Sequence, residues 1–168
     1  MRGAGDEEER GAGGRDRLGR GGVGDDVIAF YDAKYHDAVW RPVTAIREAD
    51  NDGNPRTVGD STWTPLAATP ADPSYPGAHS AVSAAAATVL ASFFGDHDRL
   101  TVTSEVAPGA VRTFRSYQAA ATEAGLSRIY AGVHTRLDHR AGAVLGRRVA
   151  AFVLRQSVSS RFGPSSHG

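Results

Sequence analysis

The chain contains no cysteine. Disulfides, thiolate-ligated metals and a cysteine nucleophile are therefore excluded, and the redox compartment is not legible. It also lacks a charge bias: 19 Lys and Arg face 19 Asp and Glu, for a formal net charge of zero. Nothing then draws the whole chain to nucleic acid or to an acidic membrane, so any basic site must be local. Long apolar runs are missing too. The most apolar stretches are Ala81–Phe94, mostly Ala and Ser, and Ala141–Leu154, broken by Arg147 and Arg148. Neither reaches the roughly 20 apolar residues of a bilayer span. Acidic and Gly-rich residues stand where the apolar segment of a signal peptide belongs. The chain as given reads as soluble, with its compartment unknown.

With 168 residues, 40% of them apolar, the chain suits one domain with one helical core. Residues 1–24 hold nine glycines and mixed charges. They cannot bury enough surface to offset ordering entropy and read as a disordered tail. Residues 25–156 form the expected helical domain, and 157–168 a polar tail. Asp25 or Asp26 is placed to cap a first helix reaching toward Trp40, and Val43–Glu48 continues as a short helix. Asp50–Pro76 is a Pro-rich loop in which Pro65, Pro70, Pro73 and Pro76 forbid a long helix. A helix follows from His79 to Phe94, ended by Gly95, and its small residues allow a close neighbour. Leu100–Val106 suggests one strand or extended connector. Phe114–Ala124 reads as a helix stopped near Gly125. The last helix spans Val133–Gln156, with Leu137, Ala141, Val144, Leu145, Val149, Phe152 and Val153 on a helical period. The fold class is all-α, a helical bundle with a long Pro-rich loop.

Three short stretches carry chemistry. Lys34 and Arg41 lie almost two helical turns apart, so an unbroken helix puts both cations on one face. They could equally be solvated charges paired with Asp32 and Asp37. His79 stands where the Pro-rich loop meets a helix, where free N–H groups favour an anion and an imidazole can exchange a proton near neutral pH. It could also be a plain capping or loop histidine. Arg128 offers a rigid fork of donors. His134 and Asp138 are four apart, so the carboxylate can orient the imidazole, although a surface pair has the same spacing. A zinc site from His79, His134, Asp138 and His139 is disfavoured by the spacing of the two last histidines and by the arginines nearby. Ser127 lacks the strand–turn–helix pattern of a nucleophilic serine.

In order, KYHDAVWRP, PGAH and SRIYAGVHTRLD resemble the three-part signature of the vanadium-dependent haloperoxidase and type 2 phosphatidic acid phosphatase superfamily. The flanks YDAKYHDAVWRPVTAIR, YPGAHSAVSAAAATVL and AGLSRIYAGVHTRLDHRAG are similar to its soluble haloperoxidase-like branch, over roughly Val27 to Leu154. The resemblance implies that Lys34, Arg41 and Arg128 hold the oxygens of vanadate or phosphate, joined by the backbone of Gly77 and Ala78. It implies that His134 bonds the vanadium, or attacks phosphorus, that Asp138 orients it, and that His79 is the acid–base residue opposite. The implied function is a vanadate-dependent peroxidase in which hydrogen peroxide oxidises a halide. The alternatives are an acid phosphatase hydrolysing phosphate esters through a phospho-His134 intermediate, without cofactor, and an inactive homologue that only binds.

Two features depart from the family pattern. Gly77-Ala78 stands where the family has Ser-Gly, removing a hydroxyl whose charge-assisted bond is worth ~1.5–3 kcal/mol. The chain also resembles a C-terminal catalytic core, with the Gly-rich tail where upstream bundle helices belong. Such a core is expected to expose apolar helix faces and to associate through them, as a homo-oligomer for instance.

Overall fold

The computed structural model describes residues 24–97 and 99–159. The expected disordered tail, Gly24 apart, and residues 160–168 of the polar tail lie outside the described residues. Helix α1 covers 24–37 and α2 covers Pro42–Arg47, with a 3-10 turn at Ala49–Asn51. After the loop come α3 (Ala78–Phe94), α4 (Tyr117–Tyr130) and α5 (Arg136–Ser159). Between α3 and α4 sits an antiparallel hairpin of β1 (Leu100–Thr103) and β2 (Val111–Phe114), in register Leu100 to Phe114 and Thr103 to Val111. The sequence suggested one extended segment there. The second strand was missed because Val111–Phe114 is short and mostly exposed, leaving no apolar alternation to read.

Small residues decide where the helices meet. Helix α3 packs on both α4 and α5, and its inner residues Ala81, Ala84, Ala85 and Ala87 are buried. A Cβ on Gly146 would lie 2.0 Å from the Ala81 carbonyl oxygen, and one on Gly142 would lie 2.3 Å from that of Gly77. The α3–α5 seam is therefore a backbone-to-backbone approach of the kind the Ala-rich helix implied. The apolar period read for α5 flanks this seam rather than forming it. Leu137, Val144 and Phe152 are exposed and Ala141, Leu145, Val149 and Val153 half-buried, whereas Asp138, Gly142, Gly146 and Ala150 are buried. Large side chains do not fit so close a seam, so they lie on its flanks.

Other boundaries differ too: Phe114 belongs to β2 rather than to the helix read from it, and α4 opens at Tyr117 behind Ser116, whose side chain accepts from Ala119 N–H. Gly125 does not stop α4; it is buried within it, where a Cβ would meet His139 Nδ1 at 2.3 Å. Its role is close packing. Gly24 is already helical, so Asp25 and Asp26 sit inside α1 rather than capping it. The Pro-rich loop is pinned rather than loose. Leu66 and Ala67 N–H both donate to the Ala131 carbonyl, and Ser74 N–H donates to Val39 O at 2.9 Å. Pro65 and Trp63 close on Gly132, whose φ of 77° turns the chain between α4 and α5.

Candidate active site

Helix α1 does not carry Lys34 and Arg41 on one face, because it ends before Ala38, which has a φ of 48°. A left-handed alanine reverses the chain at a cost of roughly 1–2 kcal/mol. The two cations meet instead around a carboxylate from the Pro-rich loop. Lys34 Nζ lies 2.9 Å from Asp72 Oδ2, and Arg41 Nη2 lies 3.2 Å from Asp72 Oδ1. Lys34 is fully buried and also donates to the carbonyls of Pro73 and Ser74. Burial pulls its ammonium below the usual lysine range, and the hydrogen bond and charge of Asp72 oppose that. Arg41 Nε donates to the Asp72 carbonyl at 2.8 Å, and Nη1 reaches both Val133 O and His134 Nε2 at 3.0 Å.

His134 precedes α5 rather than riding on it. Thr135 and Asp138 form a capping box: Asp138 N–H donates to Thr135 Oγ1 at 3.2 Å, and Thr135 N–H donates to Asp138 Oδ2 at 2.7 Å. The same Oδ2 accepts from Ser74 Oγ at 2.7 Å and meets His134 Nδ1 at 3.2 Å. The expected His134–Asp138 pairing thus forms through a helix cap. Burial alone would raise the Asp138 carboxyl, but His134, Thr135 N–H and Ser74 hold it down to about 2. A carboxylate so fixed keeps the proton of a neutral His134 on Nδ1 and turns Nε2 toward Arg41.

His79 opens α3 at the exposed rim. Partial burial of its ring, then the charges of Arg128 and His134, lower its pKa below the ordinary histidine value. Arg128, on the last turn of α4, acts electrostatically on both His79 and Arg41. Its buried Nε has no hydrogen-bond partner among the described residues. Gly77 donates its N–H to Asp138 O at 2.9 Å, so that donor is already used. The α3 N-terminus has no side-chain cap, which leaves the first N–H groups from Ala78 onward without intrahelical acceptors. Neither nearby serine replaces the absent hydroxyl at Gly77, since Ser74 serves Asp138 and Ser80 Oγ bonds His139 Nδ1 at 2.8 Å. Ser127 lies apart, lining an open groove of about 730 Å³ along α4 with its hydroxyl on Ala124 O.

The site therefore gathers Lys34, Arg41, Arg128, His134, Asp138 and His79, with Gly77 and Ala78 at its edge. Asp72 and Ser74 were not read from the sequence, because no motif distinguishes them within the loop. Thr135 could have been found, since Thr-x-x-Asp before an apolar run is a capping signature. The arrangement suits a tetrahedral oxyanion. It has three cations, an orphaned guanidinium donor, uncapped helix N–H groups and an imidazole nitrogen free of its own carboxylate.

The family description "VCPO second helical-bundle domain" matches residues 19–161. Among solved structures, a bacterial vanadium-dependent iodoperoxidase superposes with a TM-score of 0.73 at 34% identity, over 83% of this chain and 32% of that one. Apo and holo forms of a bacterial vanadium-dependent chloroperoxidase give TM-scores of 0.62 and 0.61 at 18% identity. They cover 80% and 81% of this chain, and 35% and 34% of theirs. At that identity they show the fold alone. The chain thus spans about a third of the length of these solved relatives. Comparison with curated proteins finds no match. With a match running from before α1 to the end of α5, on a helical bundle that carries all three motifs, the chain belongs to the family of the VCPO second helical-bundle domain.

Proposed function

We propose that the pocket binds vanadate and serves a peroxidase that uses hydrogen peroxide to oxidise a halide. One observation carries this reading: His134 has Nδ1 held by Asp138 and Nε2 directed at Arg41, beside Arg128, whose buried Nε has no partner. Lys34, Arg41 and Arg128 would hold the oxygens, and His134 Nε2 the metal. Vanadate, when bound, supplies a Lewis acid that activates hydrogen peroxide without a change of oxidation state.

The chain's residues do the rest. Asp138, itself held by Thr135 N–H and Ser74 Oγ, fixes the His134 tautomer. His79, with its lowered pKa, is neutral at pH 7 and can accept a proton at the rim. Its neutral form adds no further cation to the pocket, which leaves the fixed charge to the lysine and the two arginines.

The chain's 34% identity to a vanadium-dependent iodoperoxidase makes iodide the first halide to assay. Iodide oxidation should appear only with added vanadate and be lost in His134→Ala. Ester hydrolysis that vanadate inhibits, with no halide oxidation, would overturn the reading in favour of a phosphatase working through His134.

A further inference from the structure

Two of the three cations that face an incoming oxyanion already hold an anion of the chain's own. The two oxygens of Asp72 bridge Lys34 Nζ at 2.9 Å and Arg41 Nη2 at 3.2 Å, much as two oxygens of a tetrahedral anion would. With Asp72 and the carbonyls of Pro73 and Ser74, the Lys34 ammonium has three acceptors for its three protons. Lys34 is fully buried and cannot turn to solvent, whereas the Asp72 side chain is 20% exposed, at the solvent edge of the pair. Arg41, gripped through Nε by the Asp72 carbonyl, meanwhile rests on His134 Nε2. Of these three cations it is Arg128 that keeps, among the described residues, a buried donor without a partner.

Taking the oxyanion reading as given, we propose that Asp72 is an internal counter-anion that competes with the bound oxyanion for Lys34 and Arg41 and so sets the affinity of the pocket. An entering anion has two options. It can displace the carboxylate and take over its contacts, or it can bind beside a fixed negative charge. Both weaken binding relative to the same pocket without that charge. Burial tends to raise the Asp72 carboxyl, but Lys34 and Arg41 outweigh this and hold it below the usual range. The competitor is therefore ionised throughout neutral pH, and the net charge offered to an anion is one less than the three cations suggest.

The test is to titrate the full chain and Asp72→Asn with orthovanadate and with inorganic phosphate by calorimetry. Removing one like charge at contact distance in a partly buried site should tighten both by about 10–100-fold. Without ligand, Asp72→Asn should melt below the parent chain, because buried Lys34 loses its partner, and saturating vanadate should narrow the gap. A second measurement needs no variant: the Asp72 carboxyl carbon signal in NMR should move on saturation with phosphate. Saturable binding to the parent chain that is equal or weaker in a folded Asp72→Asn, or that leaves the Asp72 signal unmoved, overturns this inference and leaves the oxyanion pocket standing. If neither chain binds either anion while both melt cooperatively, the pocket reading falls and this inference falls with it.

Discussion

Two buried aspartates show how far partners decide the fate of one side-chain type. Asp138 has three donors and is held down to about 2, while Asp26, fully buried with neither oxygen hydrogen-bonded among the described residues, is pushed by burial up to about 6. Unfolded, both titrate near 3.8. For Asp26 the native state holds the extra proton between these values, so its contribution to stability falls as pH rises from about 4 to about 6 and stays low above. Asp26→Asn should therefore stabilise the chain by about 1–3 kcal/mol at pH 7 and give no gain below pH 4. Melting temperatures across pH check this; a gain equal at pH 3 and pH 7 would sink the proposed cause. Asp138 works in the opposite sense: its stabilisation is full above about pH 4 and is lost as pH falls toward 2. Ser74→Ala removes one of its donors, so the acid-unfolding midpoint should move to higher pH, with a loss of about 1–3 kcal/mol at neutral pH. An unchanged midpoint would mean that Ser74 only fills space. The His134–Asp138 contact was legible because its spacing is local, although His134 precedes the helix on which the pair was expected. Ser74 was missed because that hydroxyl arrives from 64 residues away.

At the scale of elements, the α3–α5 seam rests on atoms that are absent. Adding a methyl at Gly146 places carbon 2.0 Å from the Ala81 backbone oxygen, with no flexible side chain to yield. Gly146→Ala should cost about 3 kcal/mol despite its better helix propensity, read as a lower urea midpoint. A neutral or stabilising effect would mean that α3 and α5 do not approach so closely. The end of α1 offers the converse change. Ala38 holds a positive φ, so Ala38→Gly should stabilise by about 0.5–1 kcal/mol after the extra entropy of glycine in the unfolded chain is subtracted. A lower urea midpoint for this variant would show that the turn there is not strained. Helix existence was legible in the sequence, including the Ala-rich α3 and its close neighbour. The buried face of α5 was not, because the apolar period marks large residues and this seam selects small ones.

For the molecule as a whole, net charge is zero and large apolar side chains remain outside. Phe94 is 55% exposed on α3, and Leu137 and Phe152 are 64% and 54% exposed on α5. With no net repulsion to oppose them, such side chains favour association. The chain should show a concentration-dependent mass in light scattering, reduced in Phe152→Ser. A constant monomer mass for the unmodified chain would show that these side chains are too scattered to act together. Among the described residues no helix is long and apolar enough to cross a membrane, in keeping with the interrupted apolar runs.

The sequence alone determined the motif order, the helical class and the family, because each rests on spacing along the chain. It also located Lys34, Arg41, His79, Arg128, His134 and Asp138 as one set. Tertiary structure decided which of their charges are already answered: Asp72 reaches Arg41 from 31 residues away, and Ser74 and Thr135 hold Asp138. It also left Asp26 inside α1 rather than capping it, buried with neither oxygen hydrogen-bonded among the described residues. Burial and pairing at such separations follow from how the loop and the seam pack, and no local period in the sequence encodes them.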